Sequence, residues 1–165
     1  MMKNSELERL INEKLNTASF SDYGPNGLQV EGRETVQKII TGVTASQALL
    51  DEAVRQEADA VIVHHGYFWK NESPIIRGMK RNRLKTLLAN DINLYGYHLP
   101  LDAHPELGNN VQLAQLLGIT VMGELNPWCR GVNCRCRFRV WSWHRGSKHA
   151  WGVVRCGAAT PGRIP

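Results

Sequence analysis

The segment Ala60-Val61-Ile62-Val63-His64-His65-Gly66-Tyr67-Phe68-Trp69 carries the clearest structural signal of this sequence. It is a short, β-branched apolar run that begins after Asp59 and ends at Gly66, a pattern typical of a buried strand. Because side chains alternate across a strand, His64 and His65 can converge only where the chain leaves the sheet. Open α/β sheets place their ligand sites there, and neutral imidazole is a common metal ligand. The pair predicts a metal site, although alone it also fits two loop histidines without a role.

The segments around this strand predict an α/β fold with a parallel-rich sheet flanked by helices. Residues 36–43 are strand-like, and residues 44–47 supply N-cap side chains for a helix that leads into the His-His strand. A basic amphipathic helix over residues 77–90 then leads into a strand over residues 92–97. Two successive strand–helix–strand units are typical of parallel crossovers.

Shorter elements complete the predicted order. A capping box at Ser5 and Glu8 predicts the first helix, and residues 28–30 follow a turn as a short strand. A last helix is expected between a cap at residues 108–110 and Gly118, followed by a strand over residues 119–121.

A second group of ionisable residues follows the strand over residues 92–97. His98 and Asp102 flank Pro100, which ends the strand, so they lie near a strand terminus as His64 and His65 do. Singly, His98 could cap a helix, and Asp102 could accept hydrogen bonds from loop N–H groups. Together, nitrogen and carboxylate ligands suit Zn, Mn, Fe or Ni better than Ca or Mg, and a carboxylate can bridge two ions. The four residues therefore predict a metal site.

The composition changes sharply at residue 126, which divides the chain into a predicted α/β domain over residues 1–126 and an irregular tail over residues 127–165. The first segment holds 12 Lys and Arg and all 15 Asp and Glu, whereas the tail holds 8 basic residues and no acidic ones. All four cysteines and four of the five tryptophans also lie in the tail, which shows no sustained periodicity. A disordered basic tail is the simplest interpretation.

A zinc module that binds nucleic acid is the competing interpretation of the tail. Its ligands would be Cys129, Cys134, His144 and His149. The central spacing is shorter than usual and Cys136 and Cys156 are left over, so we expect no nucleic-acid partner.

Length and hydropathy set further expectations. A chain of 165 residues suffices for one domain with a sizeable core, and no apolar run approaches the length of a membrane span. Residues 1–6 lack the apolar region of a signal peptide, so a cytoplasmic protein without structural disulfides is expected. No phosphate-binding Gly-Lys-Ser/Thr loop occurs in the sequence.

Four sequence blocks occur in order in the first 126 residues: Asn26-Gly27-Leu28-Gln29-Val30-Glu31-Gly32, Gly42-Val43-Thr44, residues 59–66 with Phe68-Trp69, and Tyr97-His98-Leu99-Pro100-Leu101-Asp102 with Gly108-Asn109-Asn110. Together they resemble the dinuclear-metal family of GTP cyclohydrolase I type 2 homologues. The resemblance implies one half of a two-lobed α/β fold, a ring-shaped homo-hexamer and two divalent ions per subunit. It implies His64, His65 and Asp102 as metal ligands and His98 as a catalytic residue that orients water or transfers its proton. The implied reaction is metal-assisted hydrolysis of a small molecule, and the family name implies GTP.

The tail departs from this family. The family's remaining ligands, a His and a Glu one helical turn apart, require an acidic residue that residues 127–165 lack. Arg, Cys, Trp and Gly share guanine-rich codons, so we hypothesise that a frameshift or premature ending truncated a family member. We therefore expect weak metal binding and little activity. A metal-binding or interaction protein without catalysis is the alternative function.

Overall fold

The structure is a computed structural model that describes residues 1–118 and residue 121. Residues 1–102 form one compact unit, and a second unit begins at residue 103. A single 3-10 turn spans Thr17–Ser19. The strands and helices are β1 (Met2–Lys3), α1 (Asn4–Leu15), β2 (Gly27–Val30), β3 (Thr35–Val36), β4 (Ile39–Thr44), α2 (Gln47–Arg55), β5 (Ala60–His65), α3 (Gly78–Ala89), β6 (Asn93–Gly96), α4 (Leu99–Ala103) and α5 (Asn109–Leu116).

The main sheet has four strands in the order β2-β6-β5-β4. β4, β5 and β6 run parallel, and β2 pairs with β6 in the antiparallel sense. The two predicted crossovers, β4-α2-β5 and β5-α3-β6, are both present, so the predicted α/β, parallel-rich sheet is confirmed. In this sheet β5 lies between two parallel neighbours, and its C-terminal end lies beside the end of β6.

Helices cover both faces of the sheet. Val61 and Val63 of β5 belong to a core cluster with residues of α2 and α3, such as Leu50 and Leu87. The side chain of Ala60 lies on the opposite face of the sheet. It belongs to a second cluster with residues of α1 and β6. Burial on both faces explains why consecutive residues of β5 are apolar, as expected for a central parallel strand.

The boundaries of the predicted helices are close to the observed ones. The Ser46 hydroxyl accepts a hydrogen bond from the Leu49 N–H at the start of α2, as the cap residues indicated. Helix α5 begins after Gly108 and is followed by Gly118 at φ +65°, the predicted C-terminal cap position.

The predicted capping box of α1 is wrong. The helix begins at Asn4, and the reciprocal side-chain contact joins the Lys3 N–H to Glu6 Oε2 at 3.2 Å. Glu8 instead accepts a hydrogen bond from the Leu28 N–H at 2.8 Å, which ties α1 to β2. The local Ser-x-x-Glu spacing could not reveal this long-range acceptor role.

The predicted strand over residues 36–43 is divided into β3 and β4. The N–H groups of Gln37 and Lys38 both donate to Asp59 Oδ2, at 2.8 and 2.9 Å, and not to a neighbouring strand. The predicted boundary at residue 126 stays a prediction. Residues 119 and 120 of the predicted last strand, and the whole segment 127–165 with its cysteines, lie outside the described residues.

None of the helices in the described part of the chain is long and apolar enough to cross a membrane.

A polar cluster lies at the N-terminal ends of β5 and β6. Asp59 accepts a hydrogen bond from Arg33 Nη1 at 2.8 Å in addition to the two backbone N–H groups. The Asn93 side chain, fully buried, donates to the Asp59 and Arg33 carbonyl oxygens and accepts from the Gly32 N–H. Burial raises the pKa of Asp59, but these backbone donors and Arg33 outweigh it, and its pKa lies below the ordinary 3.8.

We expect Asp59→Asn to lower the free energy of unfolding at pH 7 by about 1–3 kcal/mol, because it leaves buried donors unpaired. A depressed native pKa stabilises the fold above pH 3.8 and loses that contribution as the pH falls through the native value. Urea unfolding from pH 7 to pH 3 should therefore show a weaker acid dependence for Asp59→Asn than for the wild type. Glu34→Gln, an exposed carboxylate, is the control, and equal acid dependence in all three proteins would contradict the assignment.

Candidate metal centre

Three histidines meet where β5 and β6 end. His64 and His65 are the last two residues of β5, and His98 follows β6 by two residues. The ring centroids of His64 and His65 lie 4.4 Å apart, and that of His98 lies 5.0 and 5.6 Å from them. One nitrogen of each ring lies within 4.8 Å of the others, close enough to hold a metal ion. The predicted convergence of these residues is therefore present.

Asp102 reaches the same cluster from α4. Its carboxylate Oδ1 lies 3.0 Å from His64 Nε2, and its backbone N–H donates to the His98 carbonyl oxygen. Two donor atoms about 2.0–2.2 Å from one ion are separated by about 3.0–3.5 Å in octahedral or tetrahedral geometry. The His64–Asp102 separation fits a shared ion as well as a direct hydrogen bond. The nitrogen and oxygen donors at this edge of the sheet thus fit a divalent transition metal.

His65 is held in the form that binds metals. Burial lowers its pKa, the neighbouring His64 and His98 lower it further, and Asp102 only partly offsets them. A neutral imidazole presents the lone pair that a metal needs, whereas a protonated one does not. The environment of His65 therefore favours its use as a ligand.

The position of His98 fits a metal ligand, and it also fits a residue that lies beside the ligands and transfers protons. The family resemblance implies proton transfer for His98 and metal binding for Asp102, whereas the group of donor atoms within 4.8 Å of one another consists of His64, His65 and His98. The arrangement with His98 as a ligand and the arrangement with His98 as a proton-transfer residue use the same four side chains. The division of roles among them stays a prediction.

Asp22 and Asn26 contact His98, although Asp22 belongs to none of the quoted sequence blocks and Asn26 was predicted only as part of such a block. Asp22 Oδ1 lies 2.8 Å from His98 Nδ1, and Asn26 Oδ1 accepts the His98 backbone N–H at 2.8 Å. The Asp22 side chain is only 2% exposed. The turn at Pro25 was recognised as a turn only, and no spacing pattern links Asp22 to a histidine 76 residues away.

Gln29 fixes the two strand ends that carry the histidines. Its Oε1 accepts the Tyr67 N–H at 2.7 Å, and its Nε2 donates to the Pro25 carbonyl oxygen at 2.8 Å. A Cβ atom on Gly66 would lie 2.1 Å from Gln29 Oε1, and one on Gly96 would lie 2.5 Å from Nε2. The glycines after β5 and at the end of β6 therefore make room for this side chain.

Trp69 forms an aromatic wall beside the cluster. Its indole lies edge-on to His98, with centroids 5.0 Å apart and an interplanar angle of 86°, and lies 6.1 Å from His65. The preceding residue, Phe68, adopts φ +63°, an uncommon conformation for a bulky side chain. The chain therefore turns sharply between the His-His pair and Trp69.

Comparison with known proteins places these features in a family. A sequence model of the family described as Duf34/NIF3 (NGG1p interacting factor 3) matches residues 2–158. The chain is 86% identical over 126 residues to the GTP cyclohydrolase 1 type 2 homolog of Escherichia coli strain K12. That match covers 76% of this chain and 51% of the relative, so the chain spans about half the length of the curated relatives it matches.

Two solved structures are similar in fold as well as in sequence. Protein ybgI, described as of unknown function, superposes with a TM-score of 0.75 at 86% identity, covering 76% of this chain and 51% of that one. TTHA1606 from Thermus thermophilus superposes with a TM-score of 0.71 at 44% identity, covering 76% and 52%. The α/β architecture is thus shared with proteins about twice as long as the matched segment.

We expect Gly66→Ala to displace the Gln29 amide from the Tyr67 N–H, at a cost of about 1–3 kcal/mol in the free energy of unfolding. In a Gln29→Ala background the same substitution should cost less, because the clashing amide is absent. Urea unfolding of the four proteins in this double-mutant cycle measures the difference. Additive effects would contradict the contact.

Proposed function

This chain belongs to the Duf34/NIF3 family, and we propose that it binds divalent metal ions through His64, His65 and Asp102, with His98 beside them. The observation that supports this most directly is the convergence of three imidazoles within 4.8 Å at the ends of β5 and β6. The carboxylate 3.0 Å from His64 adds a hard oxygen ligand to the nitrogen set. Zn, Mn, Fe and Ni are the ions that suit such mixed ligands.

We expect this chain to bind the metal weakly. Three or four ligands on one edge of a sheet leave coordination positions open, and the family resemblance assigns further ligands, a His and a Glu, to a part of the fold outside the matched half. A dinuclear centre with two ions per subunit is therefore proposed for the intact protein only.

For the intact protein we propose metal-assisted hydrolysis of a purine nucleotide or a related heterocycle. When bound, a divalent ion supplies Lewis-acid chemistry that lowers the pKa of coordinated water toward neutrality. His98 is suited to orient that water or to accept its proton, because a neutral imidazole nitrogen can accept a hydrogen bond and then a proton from a water molecule within reach. GTP, with attack at C8 of the purine opening the imidazole ring, is the substrate that the name of the relatives suggests.

The assembly and location of the intact protein are also proposals. The family resemblance suggests a ring-shaped homo-hexamer, and the absence of a signal-peptide pattern in residues 1–6 suggests the cytoplasm. Exposed apolar side chains at Ile75, Ile76 and Met79 support an interface between subunits, since protein interfaces commonly bury such groups.

A metal-binding or interaction protein without catalysis is the second candidate. The same histidine cluster supports it, and two surface cavities in the described part of the chain are lined by residues other than those of the cluster. The zinc module considered for residues 127–165 concerns side chains outside the described part of the chain and stays a prediction.

We predict that His64→Ala lowers metal affinity at least about tenfold, because it removes one donor and leaves Asp102 without its partner nitrogen. The measurement is a titration of metal-free protein with Zn²⁺ or Mn²⁺ in competition with a chromogenic chelator. His104→Ala is the matched control, since His104 accepts N–H bonds from Glu106 and Leu107 and lies outside the cluster. Unchanged affinity in His64→Ala would contradict the proposed site.

Turnover separates the two candidate functions. The metal-loaded chain, its His98→Gln variant and the intact E. coli relative are incubated with GTP, and ring opening is followed by the loss of purine absorbance. We expect activity in the relative, little in this chain and less in His98→Gln. Metal binding without turnover of any nucleotide by the relative would favour the non-catalytic function.

A further inference from the structure

We propose that Asp22 is a positioning residue that, together with Asn26, holds His98 in the Nδ1–H tautomer and leaves Nε2 as its only metal-binding or proton-accepting nitrogen. The value of this tautomer for function rests on the proposed metal site. The assignment of the tautomer does not rest on the metal site, because it follows from the contacts between Asp22 and His98 in the chain without metal.

The Asp22 carboxylate is surrounded by hydrogen-bond donors. Oδ1 accepts from the Tyr23 N–H at 2.6 Å and lies 2.8 Å from His98 Nδ1. Oδ2 accepts from Asn26 Nδ2 at 3.0 Å and from the Leu99 N–H at 2.9 Å. A carboxylate with only donors around it is stabilised in the ionised form, in which it accepts and cannot donate.

The charge state of Asp22 agrees with these contacts. Burial raises its pKa, but the hydrogen bonds from His98, Asn26 and the two backbone N–H groups lower it more, so its pKa lies below the ordinary 3.8. Because N–H donors surround both carboxylate oxygens, Asp22 acts as an acceptor, and the proton between it and His98 belongs to Nδ1. The opposite tautomer would place two lone pairs 2.8 Å apart beside a carboxylate that is only 2% exposed.

The same loop also fixes the backbone at His98. β6 ends at Gly96, and the last ladder-type bond runs from the Tyr97 N–H to the Val63 carbonyl oxygen. Beyond it, Asn26 accepts the His98 N–H and Asp22 accepts the Leu99 N–H. The side chains of this loop thus provide the hydrogen-bond acceptors that a neighbouring strand would provide inside the sheet. The loop that carries Asp22 and Asn26 therefore orients both the side chain and the backbone of His98. In metal-binding histidines, the ring nitrogen that does not bind the metal usually donates its N–H to an acceptor of this kind.

The first test reads the tautomer in the metal-free wild-type chain. Two-bond ¹H–¹⁵N correlation spectra of ¹⁵N-histidine protein, recorded at about pH 8 where imidazoles are neutral, distinguish Nδ1–H from Nε2–H. His98→Gln assigns the signal by its disappearance. We expect the Nδ1–H form, and an Nε2–H form overturns the proposal whether or not the protein binds metal.

The second test uses Asp22→Asn, which keeps the volume but can present an N–H to His98 Nδ1. We expect the His98 signal to shift toward the Nε2–H tautomer and Zn²⁺ affinity to fall about 10–100-fold. Asp59→Asn is the matched control, because Asp59 is also a buried carboxylate that accepts two backbone N–H groups, at the opposite ends of the strands. It should lose unfolding free energy while keeping the wild-type tautomer and affinity.

The outcomes separate this proposal from the metal site itself. An unchanged tautomer in folded Asp22→Asn, or an equal loss of affinity in Asp59→Asn, overturns the positioning role. If Asp22→Asn does not fold, the wild-type tautomer still decides the question. A wild-type chain that shows the Nδ1–H tautomer but binds no Zn²⁺ supports the positioning and contradicts the proposed metal binding.

Discussion

The parallel pairing of β5 with β6 is the constraint on which the rest of the structure depends. Its register aligns Val63 with Gly96, so the residues that follow both positions emerge at the same edge of the sheet. His64 and His65 come from one strand end and His98 from the other. Without this pairing, residues so widely separated in sequence would have no reason to meet. The apolar cores on both faces stabilise the pairing, and the polar edge is its consequence.

Buried carboxylates mark both ends of these strands, and they serve different purposes. Asp59, at the N-terminal ends, accepts backbone N–H groups and Arg33, and so shapes the connection between β3 and β4. Asp22, at the C-terminal ends, accepts backbone N–H groups and the His98 ring. In both places several donors converge on one charge and lower its pKa against the effect of burial. The histidine cluster lies at the C-terminal ends, where the carboxylate of Asp22 contacts a side chain that we propose for metal binding or proton transfer.

The segment that matches the curated relatives contains the sheet edge at which the three histidines meet. The chain spans about half the length of its curated relatives, and its donors lie at one edge of one sheet. The glycines around Gln29 and the turn at Phe68 show how closely the loops around this edge are packed.

The sequence by itself determined the main strands and helices of the fold and the sheet edge at which the histidines meet. The apolar run before His64, the helical periodicities and the positions of His98 and Asp102 after a strand are local patterns, and local patterns report secondary structure and strand ends directly. Only the tertiary structure decided the division of β3 from β4, the hydrogen bond of Glu8 to the Leu28 N–H in place of a capping role, and the contacts of Asp22, Asn26 and Gln29. Each of these depends on a hydrogen bond between groups distant in sequence, and residue spacing carries no information about such partners until the chain is folded.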